Sequence, residues 1–242
     1  MAWDTAANIL NDAAVELGLY ATDQTDPFDS TDAAVAQLCR LLKSVGQDLV
    51  RDYQWSHLQK EYTFATVPGT GDYALPPDYA RLIDQTPWNR SGVMPLVGPL
   101  NAQGWQVLRA VTSTGAVGLW FRVVGNRLSL LPVPGTAQHL AYEYISAHWV
   151  QPTGQTAPTA ETPTDGDDVL CFDRRLLVCA LKLSWKKAKG FDASAAQDDF
   201  ERALSRAQGG DGAAPVLSLN GCRLGPERLL NGVNVPDTGF GT

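Results

Sequence analysis

The fold is decided by residues 167–207, which read DDVLCFDRRLLVCALKLSWKKAKGFDASAAQDDFERALSRA. Apolar residues recur in this stretch every three or four positions, the spacing typical of two consecutive amphipathic helices. These positions are Val169, Phe172, Leu176, Leu177, Ala180, Leu183 and Ala188 in the first helix and Ala196, Phe200, Ala203, Leu204 and Ala207 in the second. A hairpin of two helices buries too little surface to be stable alone, so it requires a partner elsewhere in the chain.

Aspartates and glycines mark the ends of these two helices. Asp167 or Asp168 can cap the first helix by accepting a hydrogen bond from a free backbone N–H, and Asp192 can cap the second. Gly190 suits the left-handed conformation that ends a helix, and the pair Gly209-Gly210 is expected to end the second helix. The short connection between the helices predicts that they lie antiparallel.

The N-terminal quarter of the chain offers the partner that this pair requires. A short helix is expected over residues 4–17, where Gly18 ends it, and a longer one over residues 31–53, capped by Asp29 or Ser30. The apolar residues of the longer helix are Val35, Leu38, Leu42, Val45 and Leu49. Their alternating steps of three and four form a seam for packing against other helices.

Between residues 61 and 150 the hydrophobic period changes to two, which is typical of strands. The clearest pair is 119–124 and 127–131, because Gly125-Asn126 between them suits a primed hairpin turn. Further strands are expected at 62–67, 73–75, 81–84 and 139–145, whereas 105–111 fits either a strand or a helical turn. Short strands at this spacing predict a mostly antiparallel sandwich or small barrel.

These elements predict an α+β chain with a helical bundle, an inserted β unit and an extended arm. Residues 1–58 and 167–208 form the bundle, and residues 59–150 form the antiparallel, sandwich-like or barrel-like unit between them. Residues 151–166, rich in Thr, Pro and Gly, are expected to be a linker without structure of its own. Residues 209–242 combine many Gly and Pro residues with large apolar ones, which favours an arm that docks on the protein's own body or on a neighbour.

The charge is acidic overall and unevenly distributed, with a net value of −7. Residues 1–56 hold three basic and nine acidic side chains, whereas residues 169–208 hold eight basic and five acidic ones. A protein that grips nucleic acid usually has a strongly basic face, and this balance does not favour one. The chain has no apolar run of about 18 residues, so no membrane span is predicted, and its four cysteines are expected to be buried, reduced thiols of a protein made in the cytoplasm.

The sequence shows no pattern of a catalytic, metal or cofactor site. The three histidines have no ligand-like neighbour at helical or strand spacing, and no Gly-Lys-Ser/Thr phosphate loop or Gly-x-Ser-x-Gly elbow occurs. The acidic pairs Asp167/Asp168 and Asp198/Asp199 stand where helix caps and solvated faces place acids. We therefore predict no enzyme activity, no cofactor and no metal.

One segment resembles a known family. Residues 71–83, GDYALPPDYARLI, are similar to the Y-x-L-P-x-D-(F/Y)-x-R segment of phage head-to-tail adaptor proteins, the tail-tubular-protein-A-like and head-completion proteins of short-tailed phages. Other features agree in order: an N-terminal helical region that ends in Tyr53 and Trp55, a hairpin that ends in Leu131-Pro132, and a C-terminal helical pair. The resemblance covers residues 1–208 and rests on the order of the segments.

The resemblance implies a structural protein of the virion neck that forms a ring, commonly of twelve subunits, beneath the portal. It implies that the helical part and the arm face the portal, that the β part faces the tail tube or nozzle, and that genomic DNA passes through the centre without specific binding. As arm contacts with the portal we predict Val216, Leu217, Leu219, Leu224, Leu229 and Leu230. Between subunits, we predict that Arg174, Arg175, Lys186 and Lys187 pair with Asp26, Asp29 and Asp32 of a neighbour.

Two other classes of function stay open from the sequence. A β-rich module that binds sugar or single-stranded nucleic acid, carried on a helical oligomerisation domain, would use the aromatic residues of the β unit as a stacking surface. These residues are Trp88, Trp105, Trp120, Phe121, Tyr142, Tyr144 and Trp149. A phage cell-wall hydrolase with a composite site would need an acidic or histidine cluster that only folding brings together.

Overall fold

The computed structural model describes residues 3–20, 23–110 and 118–212, which form five α-helices and eleven short strands. The helices are Ala6–Glu16 (α1), Ala33–Asp52 (α2), Ala102–Ala110 (α3), Arg174–Lys189 (α4) and Ser194–Asp211 (α5). The strands are Asp4–Thr5 (β1), Gln59–Ala65 (β2), Asp72–Ala74 (β3), Tyr79–Leu82 (β4), Trp88–Asn89 (β5), Met94–Pro95 (β6), Trp120–Val124 (β7), Arg127–Leu131 (β8), His139–Ser146 (β9), Val150–Gln151 (β10) and Val169–Leu170 (β11).

Helices from both ends of the chain share one apolar core. α4 packs against α1, α2 and α5, so the hairpin of α4 and α5 finds the N-terminal partner that its sequence requires. Fully buried members of this core include Ile9, Leu10, Leu38, Leu42, Leu176 and Leu177. Each such side chain contributes about 1.5–3 kcal/mol by leaving water.

The first helix of the C-terminal pair starts later than the sequence predicts. Asp173 caps it by accepting a hydrogen bond from the backbone N–H of Leu176 at 3.0 Å, so Asp167 and Asp168 are not its caps. The residues between form β11, which pairs antiparallel with β1 on one side and β10 on the other. The pairing of three short strands therefore decides where α4 begins.

Two other helix ends differ from prediction. Asp32, rather than Asp29 or Ser30, caps α2, through a 2.7 Å hydrogen bond from the backbone N–H of Ala34. α5 continues through Gly209 and Gly210 to Asp211 instead of ending at the glycines. The aspartate at each of these two ends is held by hydrogen bonds, and these bonds set the boundary.

The strands form three antiparallel sheets. In the largest, β9 pairs with β2 on one edge and with β4 and β5 on the other, and β6 extends the sheet beyond β5. A second sheet has the order β3-β8-β7, and its hairpin turns at Gly125 and Asn126, both with a φ of 59°, as the predicted primed turn requires. The strands of the described residues close no barrel, so the molecule is a mixed helix-and-sheet fold with antiparallel sheets.

Strand β9 belongs to two cores at once. Leu140, Tyr142 and Tyr144 pack with Phe121 and other residues of the sheets, whereas Ile145 packs into the helical core. Trp149, just after this strand, is also fully buried in the helical core. The sequence interpretation placed Trp149 among the aromatic residues of the β unit, and its position among the helices corrects that.

The predicted linker, residues 151–166, is held by hydrogen bonds to the side chain of Asp168. The carboxylate of Asp168, which is 3 % exposed, accepts backbone N–H hydrogen bonds from Thr153 at 3.2 Å, Thr164 at 2.8 Å and Asp165 at 3.0 Å. Ala160 also forms an antiparallel bridge with Val150. Residues 151–166 are thus fixed to the molecule by one buried carboxylate, which corrects the expectation that they lack structure.

Candidate assembly surfaces

The segment that carries the family resemblance surrounds a buried carboxylate, Asp78. Its oxygens accept hydrogen bonds from Lys60 Nζ at 2.7 Å, the Tyr144 hydroxyl at 2.8 Å and the Ser146 hydroxyl at 2.8 Å. Its backbone oxygen accepts a fourth from the N–H of Ala147. Because Lys60 lies on β2 and the other partners on or after β9, Asp78 connects the entry of β4 to two neighbouring strands.

The environment of Asp78 keeps it ionised. Burial alone would raise the pKa of this carboxyl, but the hydrogen bonds from Lys60, Ser146 and Tyr144 outweigh it and lower the pKa to about 2. A general acid or base needs a pKa near the working pH, so the shift is opposite to that of a catalytic group. Asp78 therefore holds the sheet together.

Other residues of the same segment also serve local structure. The Tyr73 hydroxyl donates to the backbone oxygen of Thr70 at 2.8 Å and accepts from the N–H of Val67 at 3.0 Å, which closes the turn between β2 and β3. The Tyr79 ring stacks on Tyr144 at 5.9 Å between centroids. The sequence motif thus describes a folding element, and the roles of Lys60, Tyr144 and Ser146 in it have no local sequence signal.

The end of α5 is attached to the loop that follows α2. Asp211 accepts two hydrogen bonds from Ser56, from the backbone N–H at 2.8 Å and from the hydroxyl at 2.7 Å. His57 lies beside the same carboxylate, with 3.6 Å between Nδ1 and Oδ1. Burial lowers the pKa of the His57 imidazole and outweighs the neighbouring Asp211 carboxylate, which by itself would raise it. The imidazole is therefore mostly neutral at pH 7.

Aromatic rings surround this attachment point. Phe172 lies 5.5 Å from the rings of both Trp55 and His57, and Trp3 lies 6.0 Å from His57. Trp3 is 40 % exposed, whereas Trp55 and Phe172 are buried. The last described helix therefore ends against a rigid aromatic surface.

Replacing Asp211 by alanine is expected to destabilise the fold by about 1.5 kcal/mol, because Ser56 loses a charged acceptor for two hydrogen bonds. Hydrogen exchange at the Ser56 amide and over the last turn of α5 should accelerate more than exchange in α1. Asp198→Ala on the exposed side of the same helix is the control, for which thermal unfolding should stay close to wild type. Equal effects of both substitutions would contradict the attachment.

The predicted basic contacts divide into two groups in the structure. Arg174 forms ion pairs with Asp4 and Asp12 at 2.8 and 2.6 Å, and Arg175 pairs with Glu16 at 2.8 Å. These partners belong to β1 and α1 of the same chain. Lys186 and Lys187 instead lie in the last turn of α4, and Lys187 donates to the amide oxygen of Gln197 at 3.1 Å.

The predicted acidic contacts lie together in the segment before α2. Asp26 accepts from the backbone N–H of Phe28 at 2.9 Å, and Asp32 caps α2. Asp29 lies in the short 3-10 turn Pro27–Asp29 and has an exposed side chain. The pairing of these aspartates with the basic residues of a neighbour stays a prediction, and the arm residues Val216, Leu217, Leu219, Leu224, Leu229 and Leu230 lie outside the described residues.

The β unit offers a polar groove rather than an aromatic platform. A groove of about 530 Å³ on the largest sheet is lined by Glu61, Trp88, Arg90 and Glu143 among others, and Arg90 pairs with Glu61. Glu61 and Glu143 lie directly opposite across β2 and β9, an arrangement of like charges that Arg90 offsets. Five of the aromatic residues considered for stacking are buried instead; they are Trp105, Phe121, Tyr142, Tyr144 and Trp149.

Two searches across the described residues give negative results. Residues 3–20, 23–110 and 118–212 contain no group of three or more His, Cys, Asp or Glu side chains that could hold a metal ion. Among the helices in these ranges, none is long and apolar enough to span a membrane.

The described residues thus carry structural hydrogen-bond networks and charged surfaces. A profile of the SU10 adaptor protein family matches residues 4–218, so the chain belongs to this family. A comparison with curated proteins gives no match. The chain is therefore a bacteriophage structural adaptor of the virion. Membership of this family implies portal and tail proteins as its partners. The closer relation to tail-tubular-protein-A-like proteins stays a prediction.

Proposed function

We propose that this protein is the head-to-tail adaptor that forms a ring below the portal, joins it to the tail tube or nozzle, and leaves a channel for the DNA. The observation that carries the proposal is the family match, which spans nearly all of the described helices and strands. The ring in the particle would hold about twelve subunits, as the resemblance to phage adaptors implies. The genome passes through without specific binding, and no cofactor or catalytic residue takes part.

The charge distribution supports a channel that does not grip DNA. The chain has a net charge of −7. Six basic side chains of the described residues are engaged by carboxylates of the same chain: Lys60, Arg90, Arg174, Arg175, Lys182 and Arg202. Nucleic-acid binding by phosphate contacts depends on free Lys and Arg side chains. Engaged cations on an acidic protein are consistent with a wall along which DNA slides.

The arm is proposed to begin after Asp211. α5 carries the chain to this residue, where two hydrogen bonds from Ser56 hold it, and residues 213–242 follow. Their six predicted contact residues are all Val or Leu, which suits an apolar groove on the portal.

Removal of residues 213–242 is expected to weaken portal binding at least tenfold, because the apolar contacts of the arm are lost while the helices and sheets keep their cores. Native mass spectrometry of the adaptor mixed with the phage's own portal protein measures this effect. The full chain should form a large stoichiometric complex with the portal. A full chain that ignores the portal would refute the adaptor proposal, and a truncated chain that binds equally well would refute the role of the arm.

A further inference from the structure

The last turn of α4 and the turn that follows it carry three lysines and an exposed phenylalanine, which we call the basic tip: Lys186, Lys187, Lys189 and Phe191. Lys187 and Lys189 are exposed, whereas Lys186 is half-buried. Phe191 is 64 % exposed, although phenylalanine is a residue that folding normally buries. Lys189 lies over the ring of Trp185 at 4.6 Å. Asp192, beside Lys186, uses its carboxylate to accept a hydrogen bond from the backbone N–H of Ser194. Within the described ranges, the three lysines form no ion pair.

A surface of opposite charge lies before α2, in residues 23–32, which we call the acidic segment. It contains Asp23, Asp26, Asp29 and Asp32 and no basic residue. Asp23 and Asp29 have exposed side chains. Phe28 is half-buried, with Lys43 at 5.6 Å from its ring, so the segment also offers an aromatic side chain beside its carboxylates.

The basic tip and the acidic segment are held at different points along α1. The acidic segment lies beside the first half of α1, because the Asn11 side chain hydrogen-bonds to the backbone of Gln24. In addition, Asp26 lies beside Gly166, whose backbone oxygen accepts a hydrogen bond from the N–H of Ala7. At the other end, Lys182 pairs with Glu16, the last residue of α1. Since α4 runs on from Lys182 to its end, the basic tip lies beyond the C-terminal end of α1.

Within the described residues, no ion pair joins the basic tip to the acidic segment. Complementary surfaces at different places on one subunit define a head-to-tail contact, which generates a ring when its rotation closes.

We infer that the basic tip of each subunit docks on the acidic segment of the next copy of this chain, with Phe191 as the apolar anchor. The inference rests on the proposed function, because it names the contact that would close the ring. It also changes the predicted set of contacts. Arg174 and Arg175 are left out, since they pair within their own chain, while Lys189 and Phe191 are added.

The experiment uses charge reversals at exposed side chains. A tip-reversed chain carries Lys187→Glu and Lys189→Glu, and an acid-reversed chain carries Asp23→Lys and Asp29→Lys. Asp26 and Asp32 stay unchanged because their carboxylates hold backbone N–H groups. The control chain carries Arg127→Glu and Arg206→Glu, an equal change of charge at two exposed positions on β8 and α5.

Sedimentation velocity and native mass spectrometry of full-length chains, alone and with the portal protein, measure the assembly. Each reversed chain is expected to associate at least about tenfold more weakly than wild type, because its tip and its segment now carry the same charge. An equimolar mixture of the two should assemble again, because every contact in an alternating ring then joins a tip to a segment of opposite charge. Phe191→Ser should weaken association with all charges intact. The control chain should behave as wild type.

The outcomes separate the inference from the proposed function. If wild type forms a ring with the portal and both reversed chains do so equally well, the contact is wrong while the adaptor function stands. A mixture that fails to assemble when each reversed chain alone is defective would also overturn the pairing. A wild-type chain that neither associates nor binds the portal overturns both. Circular dichroism of each variant checks that the helices are intact.

Discussion

Replacement of Gly46 by valine is expected to destabilise the protein by about 3 kcal/mol or more, the upper range for an overpacked core. Gly46 lies on α2 directly under the indole of Trp149, and a Cβ atom at this position would be 2.0 Å from Cζ2 of the ring. Trp149 is fully buried and cannot move aside without displacing its neighbours. Chemical denaturation followed by circular dichroism and by tryptophan fluorescence measures the loss.

A matched control lies one half-turn away on the same helix. Ser44→Val adds the same side chain at an exposed position and should change the free energy of unfolding by less than about 0.5 kcal/mol. Trp149→Leu makes room above Gly46, so its combination with Gly46→Val should cost clearly less than the sum of the two single substitutions. Additive costs would contradict a direct clash between these two residues.

Replacement of Asp78 by alanine is expected to cost about 3 kcal/mol, since it leaves Lys60 without its counter-charge and two buried hydroxyls without an acceptor. Asp84→Ala, at an exposed position just after β4, is the control and should be nearly neutral. Thermal and denaturant unfolding measure both variants. A loss at Asp78 no larger than at Asp84 would contradict the role of this carboxylate as the link between strands.

The pH dependence gives a second test of Asp78. Its pKa is about 2 in the folded chain, below the ordinary value of about 3.8, so the unfolded state binds its proton first as the pH falls. The wild-type protein should therefore lose about 2 kcal/mol of stability at this site between pH 4 and pH 2. Above pH 5 the contribution is complete. Asp78→Asn should flatten that part of the stability profile relative to wild type.

The sequence predicts the helices well where burial alone determines them. The structure places α1 and α2 within two residues of their expected bounds, because apolar residues at helical spacing fix both the helix and its buried face. The hairpin at Gly125-Asn126 is confirmed for a similar reason, since both residues tolerate positive φ. In these elements the local pattern and the tertiary contacts favour the same conformation.

The sequence-based predictions of helix ends fail where contacts between residues far apart in the chain determine those ends. The sequence predicted Asp167 or Asp168 as the cap of α4. The pairing of β11 with β1 and β10 places the following residues in a strand, so the helix starts later, with Asp173 as its cap. Each glycine inside a helix costs about 1 kcal/mol, which is why Gly209-Gly210 predicted an end. The hydrogen bonds between Asp211 and Ser56 offset part of that cost, and their partners are 155 positions apart along the chain.

The candidate surfaces follow the same division. The basic residues of α4 are evident from the sequence, but only the structure separates Arg174 and Arg175, which are paired within the chain, from the exposed lysines near Phe191. The four-residue network of Asp78 joins positions 60, 78, 144 and 146 and has no periodic signature. Such a network can be recognised only in the folded structure, where strands that are far apart in the sequence lie side by side.

Strand β9 also has a mechanical consequence. Seven consecutive residue pairs tie it to β2, and its last residues enter the core of the helices without an intervening hinge. β2 is attached to the helical core at the same end, through Leu58, so the covalent backbones of both strands carry a force that pulls the sheets away from the helices. An adaptor built in this way transmits tension between its two halves as a stiff strut rather than as a flexible coupling.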